Sequence, residues 1–197
     1  VKEDYQPFVL GTRFCILPPD ITPPEGDFIH LTMERGAFGS GEHETTRSCL
    51  EFLEQMNLQG NEKVLDLGSG TGILSIAALL LGAQHAWCVD IEAYAVRSCE
   101  RNCERNGVNK RVTHVCGTLD KLGEDGFDLI LANIYGDILL DVADNLISKA
   151  KPGTKILLSG ILWEYNFDVR QKYQRLGCKL IKNKMMEEFS TVLLIKK

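Results

Sequence analysis

Between residues 63 and 160, short and nearly unbroken apolar runs alternate with longer stretches whose apolar positions fall on one face of a helix. Val64 to Leu67, Ala86 to Val89, Val112 to Cys116, Phe127 to Ala132 and Ile156 to Ser159 read as strands. The run at 127–132 suits a central strand buried on both faces. Ile73 to Leu81, Ala93 to Asn106 and Ile138 to Lys149 read as helices, stopped by Gly82, Gly107 and Lys151-Pro152-Gly153. A further helix around Asn166 to Leu176 precedes two closing strands, Cys178 to Ile181 and Thr191 to Ile195, expected to form a hairpin. Upstream, Cys49, Leu50, Leu53 and Met56 give another helix its buried face, with Thr45 or Thr46 placed to cap its first turn. Before that, Phe8 to Leu10 and Arg13 to Leu17 predict a hairpin, and Phe28 to Met33 alternates as a third strand. The pattern is that of a mainly parallel α/β sheet. Residues 1–35 form a β-rich segment packed on its core, and residues 36–197 form the main domain.

In such a sheet ligands bind beyond the carboxyl ends of the strands. The pattern puts Gly68 to Gly72, Asp90, Leu119-Asp120, Asn133 and Gly160 at those ends, so five loops should gather on one rim. Gly68, Gly70 and Gly72 are spaced GxGxG after Asp66, not the GxGxxG of a dinucleotide site, and no Walker A lysine follows. A turn of this kind presents backbone groups to an amino-acid moiety. S-adenosylmethionine fits it better than a nicotinamide or flavin, with Asp90 on the ribose hydroxyls. Asp90 also reads as the cap of the following helix. Gly36 to Thr46, with three glycines around Phe38, reads as a lid over a ligand rather than a plain connector.

Composition narrows the class. The 44% hydrophobic and 25% charged fractions are those of a globular protein. The net charge of −5 argues against direct nucleic-acid contact and allows a basic protein partner. No apolar run reaches membrane-spanning length and no signal-peptide core is present, so no membrane role and a cytoplasmic location are expected. Seven dispersed cysteines read as buried thiols in a reducing compartment. Cys99 and Cys103 lie four apart and can share a helix face, but no histidine lies near them in sequence, and no metal is assigned.

Val64 to Gly72 resembles the first motif of class I methyltransferases. Ala37-Phe38-Gly39-Ser40-Gly41-Glu42-His43-Glu44-Thr45-Thr46 resembles the AFGTGxHxTT signature of the ribosomal protein L11 methyltransferases. Ala132-Asn133-Ile134, Lys151-Pro152-Gly153 and Leu158 to Leu162 match that family's ANI, KPG and LSGIL segments in order. The likeness spans roughly residues 5 to 197. It implies a Rossmann-like class I methyltransferase fold with a seven-stranded sheet, and cofactor contacts from Thr46, Gly68, Asp90 and Asn133, with Gly70 and Phe38 beside them. Serine and glutamate stand at 40 and 42 where the family has threonine, glutamate at 44 for proline, and Tyr135-Gly136 for leucine-alanine. The resemblance also implies a separate amino-terminal recognition domain, which would precede residue 1.

The implied reaction is methyl transfer to a protein amine, on a lysine or an N-terminus, with ribosomal protein L11 or a related basic protein as substrate. Asn133 is then the candidate for orienting the amine, and Phe38 and Tyr135 for flanking the methyl group. The Asn133-Ile134-Tyr135-Gly136 segment lacks the two prolines of enzymes that methylate base nitrogens or glutamine amides. A small-molecule amine methyltransferase and a non-catalytic cofactor-binding module remain open.

Overall fold

The computed structural model describes residues 5–34 and 42–197, and of Glu42 and His43 the backbone alone. Phe38 and most of the glycine-rich loop lie outside the described residues.

Three short strands open the chain: β1 (Phe8–Leu10), β2 (Phe14–Leu17) and β3 (Ile29–Thr32). β1 and β2 pair antiparallel across Gly11 to Arg13, as expected, and β3 adds to β2 in parallel. Helix α1 (Glu42–Glu54) follows. The main sheet then alternates with helices: β4 (Lys63–Leu67), α2 (Ile73–Leu80), β5 (His85–Asp90), α3 (Ala93–Arg105), β6 (Val112–Cys116), β7 (Phe127–Asn133), α4 (Gly136–Asp141), α5 (Ala143–Ser148), β8 (Ala150–Leu162) and α6 (Trp163–Arg175). β9 (Cys178–Met185) and β10 (Phe189–Lys196) close it as an antiparallel hairpin. The seven strands are ordered β6-β5-β4-β7-β8-β10-β9, parallel except for the contacts of β10.

Both faces of the sheet are covered, which is why its central strands carry apolar residues at successive positions. Val64, Leu129, Leu131 and Leu157 face a core shared with α1, α2, α3 and Leu10, Phe14, Ile16 and Leu31 of the N-terminal strands, with Met33 just after them. Leu65, Leu67, Ile130, Ala132, Ile156 and Leu158 face the opposite core under α4, α5 and α6.

Three expectations change. Thr45 and Thr46 lie inside α1, which starts at Glu42, so neither caps it. The helix expected over Ile138 to Lys149 is two helices that meet at Val142. Pro152-Gly153 does not end a segment before β8 but sits within it. Phe127 pairs with Ala150 and Leu129 with Lys155, leaving the intervening residues of β8 as a bulge. Thr154 Oγ1 braces the bulge by accepting from Lys151 N at 2.9 Å and donating to the Phe127 carbonyl at 2.5 Å.

Candidate functional site

Register builds the rim. Leu67 stands opposite Val89 on one side and Ala132 on the other, and Asn133 stands opposite Ser159. The residues just beyond, Gly68 to Gly72, Asp90, Ile134 and Gly160, therefore share one edge. β4 is the first strand of the parallel set; β5 and β6 run outward from it to one side, β7 and β8 to the other. The crevice between β4 and β7 is the topological switch point, where open α/β sheets bind ligands.

The glycine turn is held by its neighbours. Gly68 N and Ser69 N donate to the Val89 carbonyl at 2.8 and 3.2 Å, and Gly72 N donates to the Ser69 carbonyl at 2.8 Å. Asp90 Oδ2 accepts from Gly70 N and Oδ1 from Glu92 N, each at 2.9 Å. Asp90 thus makes an Asx turn ahead of α3, whose N-cap position is Glu92. Gly68 has φ +69°, and a Cβ there would lie 2.5 Å from Ile134 Cγ2. Only glycine lets the turn close against the end of β7.

Asn133 lies partly buried across the crevice, its Nδ2 donating to Thr45 Oγ1 at 3.3 Å. A Cβ on Gly160 would lie 2.9 Å from both Asn133 Oδ1 and the Ile134 carbonyl, at φ +77°. Gly160→Ala is therefore expected to displace Asn133 and to destabilise the fold by about 1–3 kcal/mol, read by urea unfolding; an unchanged midpoint would mean that β8 shifts freely.

Thr46 is buried in the first half of α1. That helix is fixed over the sheet by Ser48 Oγ, which donates to Thr191 Oγ1 at 2.7 Å, with Ser159 Oγ on the same hydroxyl at 2.7 Å. Glu44 Oε1 accepts from Glu187 N at 2.9 Å, joining α1 to the β9–β10 turn. Tyr135 stands at the N-cap position of α4, 64% exposed. The structure thus brings together Gly68, Gly70, Asp90 and Asn133, with Thr45 at the last, and leaves Tyr135 on the outer rim.

The contacts of three residues were not read from the sequence. Thr45 touches Asn133. Asn102, fully buried on α3, donates from Nδ2 to the Thr71 carbonyl at 3.0 Å and accepts on Oδ1 from Glu34 N at 3.1 Å. It links the glycine turn to the segment leading into the glycine-rich loop. Its one sequence signal is its place on the buried stripe of α3 beside Cys99, Cys103 and Asn106. Glu34, in turn, is held down to about 2 by hydrogen bonding to Arg101, with Arg105 and Ser98 adding to it. Third, Asp66 is wholly buried under the turn, bonded by Ser75 Oγ at 2.7 Å, and burial pushes its carboxyl from 3.8 up to about 7.

Beside the rim, Trp163 is half-exposed, and Leu162, Glu164, Glu187 and Glu188 form an acidic cleft around it.

Strand order, glycine turn and switch-point crevice define an open α/β domain of the methyltransferase class. A tRNA m1G37 methyltransferase from M. jannaschii has the same fold, with a TM-score of 0.69 at 13% identity over 81% of this chain and 51% of that one. The chain belongs to the ribosomal protein L11 methyltransferase (PrmA) family, whose sequence model matches residues 1–197. A ribosomal protein L11 methyltransferase from Paraburkholderia phytofirmans is 39% identical over 175 residues, 88% of this chain and 57% of that protein. The ribosomal protein L11 methylase of Lactobacillus delbrueckii subsp. bulgaricus superimposes with a TM-score of 0.88 at 26% identity, covering 99% of this chain and 100% of that one. The chain spans less than two thirds of the length of curated relatives such as the first of these.

Proposed function

We propose that the chain is the catalytic unit of an S-adenosyl-L-methionine-dependent methyltransferase acting on protein amines, with ribosomal protein L11 as its substrate. The observation that carries this is the meeting of the glycine turn, Asp90 and Asn133 at the β4–β7 crevice. The residues present fit the cofactor. Gly70, where a Cβ would meet only the Gly68 carbonyl at 4.0 Å, leaves an open approach to backbone, and each Asp90 oxygen, already taking one backbone N–H, keeps a second acceptor position for a ribose hydroxyl. Bound there, S-adenosyl-L-methionine supplies a methyl group already activated by its sulfonium.

What the protein adds is alignment and dryness. An amine nucleophile must be neutral, and a lysine amine, with an ordinary pKa of ~10.4, loses its proton more readily when desolvated. Asn133, its amide held by Thr45 and backed by Gly160, offers a carbonyl oxygen to an amine N–H. Tyr135 on the rim and Phe38 in the glycine-rich loop are assigned to flank the methyl group, Phe38 also lining the cofactor; Thr46 and Gly70 complete the cofactor set. Glu164, Glu187 and Glu188 near Trp163 suit a basic segment of the substrate by charge. Among the described residues no helix is long and apolar enough to cross a membrane. The described cysteines are free thiols, which supports a cytoplasmic assignment. Residues 1–35 are proposed as an N-terminal segment of the methyltransferase domain at 36–197 rather than a second domain.

The test has two stages. S-adenosylhomocysteine at 100 times its Kd is expected to raise the melting temperature by about 5–10 °C, and NAD to leave it unchanged; the reverse sinks the methyltransferase reading. Cofactor labelled in the methyl group, incubated with purified L11, is then expected to label L11 at amines by mass spectrometry. Binding without label in L11 would keep the cofactor and overturn the substrate.

A further inference from the structure

Away from the rim, a second group of chemically active side chains comes together behind the glycine turn. β5 and β6 pair in parallel with Cys88 opposite His114, so the two side chains stand on the same face of the sheet. Helix α3 packs over that face and presents Cys99 and Cys103, one turn apart and both fully buried. One donor atom from each of Cys99, Cys103 and His114 lies within 4.8 Å of the other two. Cys88, opposite His114 in register, stands beside this group. Nδ1 of His114 is buried without a hydrogen-bond partner. Packing accounts for the thiols, since a buried cysteine behaves as a small apolar side chain. It does not account for an imidazole beside them with an unsatisfied buried nitrogen, which is unfavourable.

We propose that Cys99, Cys103 and His114, with Cys88 as fourth donor, form a structural zinc(II) site that ties α3 to the β5–β6 edge. The donor set selects the ion. Sulfur and imidazole nitrogen suit zinc, whereas magnesium and calcium require oxygen ligands, which the cluster does not offer. Zn–S bonds of ~2.3 Å and Zn–N bonds of ~2.0–2.1 Å ask the donors to draw together from their present spacing. Side-chain rotation on α3, β5 and β6 supplies that, Cys88 giving up its bond to Ser75 Oγ at 3.2 Å. Each thiol that ligates releases its proton to solvent. Access is from the edge: β6 is the last strand of the sheet and His114 is only partly buried. A set of four protein ligands leaves no open position, so the role is structural. Its consequence reaches the turn, because a Cβ on Gly72 would lie 2.5 Å from Cys99 Sγ.

The spacing of the donors along the chain hides the site. Cys99 and Cys103 share a helix, but His114 lies on the next strand and Cys88 on the one before, and only strand register and the packing of α3 unite them.

Cobalt(II) added to the reduced protein is the direct probe. One equivalent is expected to give thiolate-to-metal charge-transfer absorption and the visible bands of a tetrahedral ion, and one equivalent of zinc(II) to erase them. Cys99→Ala/Cys103→Ala, checked for folding by circular dichroism, should lose the signal, and Cys178→Ala, a buried thiol outside the cluster, should keep it. His114→Gln leaves the core thiols in place and should weaken zinc(II) binding at least tenfold by competition with a chromophoric chelator. Absence of stoichiometric uptake by the unmodified chain, or undiminished affinity in His114→Gln, overturns the proposal. None of these readouts depends on methyl transfer.

Discussion

Asp90→Ala weakens binding of S-adenosylhomocysteine by on the order of 100-fold in isothermal titration, the expected result of removing one carboxylate from two ribose hydroxyls. A hydrogen bond to a charged group contributes about 1.5–3 kcal/mol, and about 1.4 kcal/mol is a factor of ten in affinity. The side chain also braces the turn, because its two oxygens accept from Gly70 N and Glu92 N at 2.9 Å. Loss of affinity alone would not separate the roles. The separation comes from the ligand: the unmodified chain should discriminate against 2′-deoxy-S-adenosylhomocysteine by about tenfold, and Asp90→Ala should bind the two alike. A variant that still discriminates would leave Asp90 as a brace for the glycine turn and nothing more.

The parallel part of the fold was legible because its strands are written as apolar runs that end in residues with a backbone reason to be there. Glycine closes β4 and aspartate closes β5, and two strands that pair in parallel bring their carboxyl ends together whatever lies between them. For the same reason the loops after β4, β5, β7 and β8 could be read as converging on one rim. What was not legible depends on contacts between elements remote in sequence. Pro152-Gly153 signals a break, yet the Thr154 hydroxyl pins the bulge to the Phe127 carbonyl and the strand continues. No glycine or proline marks Val142, where α4 and α5 part; both helices pack on α6 and β8. Thr45 and Asn133 are 88 positions apart and meet only once α1 lies over the crevice. The glycine-histidine-threonine loop was the most specific feature in the sequence, and it lies mostly outside the described residues.

Asp66→Asn should remove a pH dependence of stability that the unmodified chain shows between about pH 4 and 7. The Asp66 carboxyl is pushed up to about 7 chiefly by burial, against hydrogen bonds from Ser75 that favour ionisation and with Asp90 adding a smaller opposing charge. In the unfolded chain it titrates near its ordinary 3.8. Between the two values the folded state holds a proton that the unfolded state has released, so stability falls as pH rises through this window and levels off above about 7. The full span corresponds to about 4 kcal/mol. Asparagine keeps an oxygen to accept the Ser75 hydroxyl and has no charge to desolvate, but its amide protons need partners, which costs about 1–3 kcal/mol. The variant should therefore be less stable than the parent near pH 5 and equal to or more stable than it at pH 8. Urea unfolding at pH 5, 6.5 and 8 reads the crossing, and parallel curves for the two proteins would mean that Asp66 remains ionised in the fold. Glu34 does not confuse the comparison, since its lowered value places its own loss of stability at pH below about 4.5. The contributions of other groups cancel between parent and variant. A crossing would identify the aspartate of the VLDLGSGTG stretch as a neutral hydrogen-bond acceptor at working pH, anchoring α2 through Ser75.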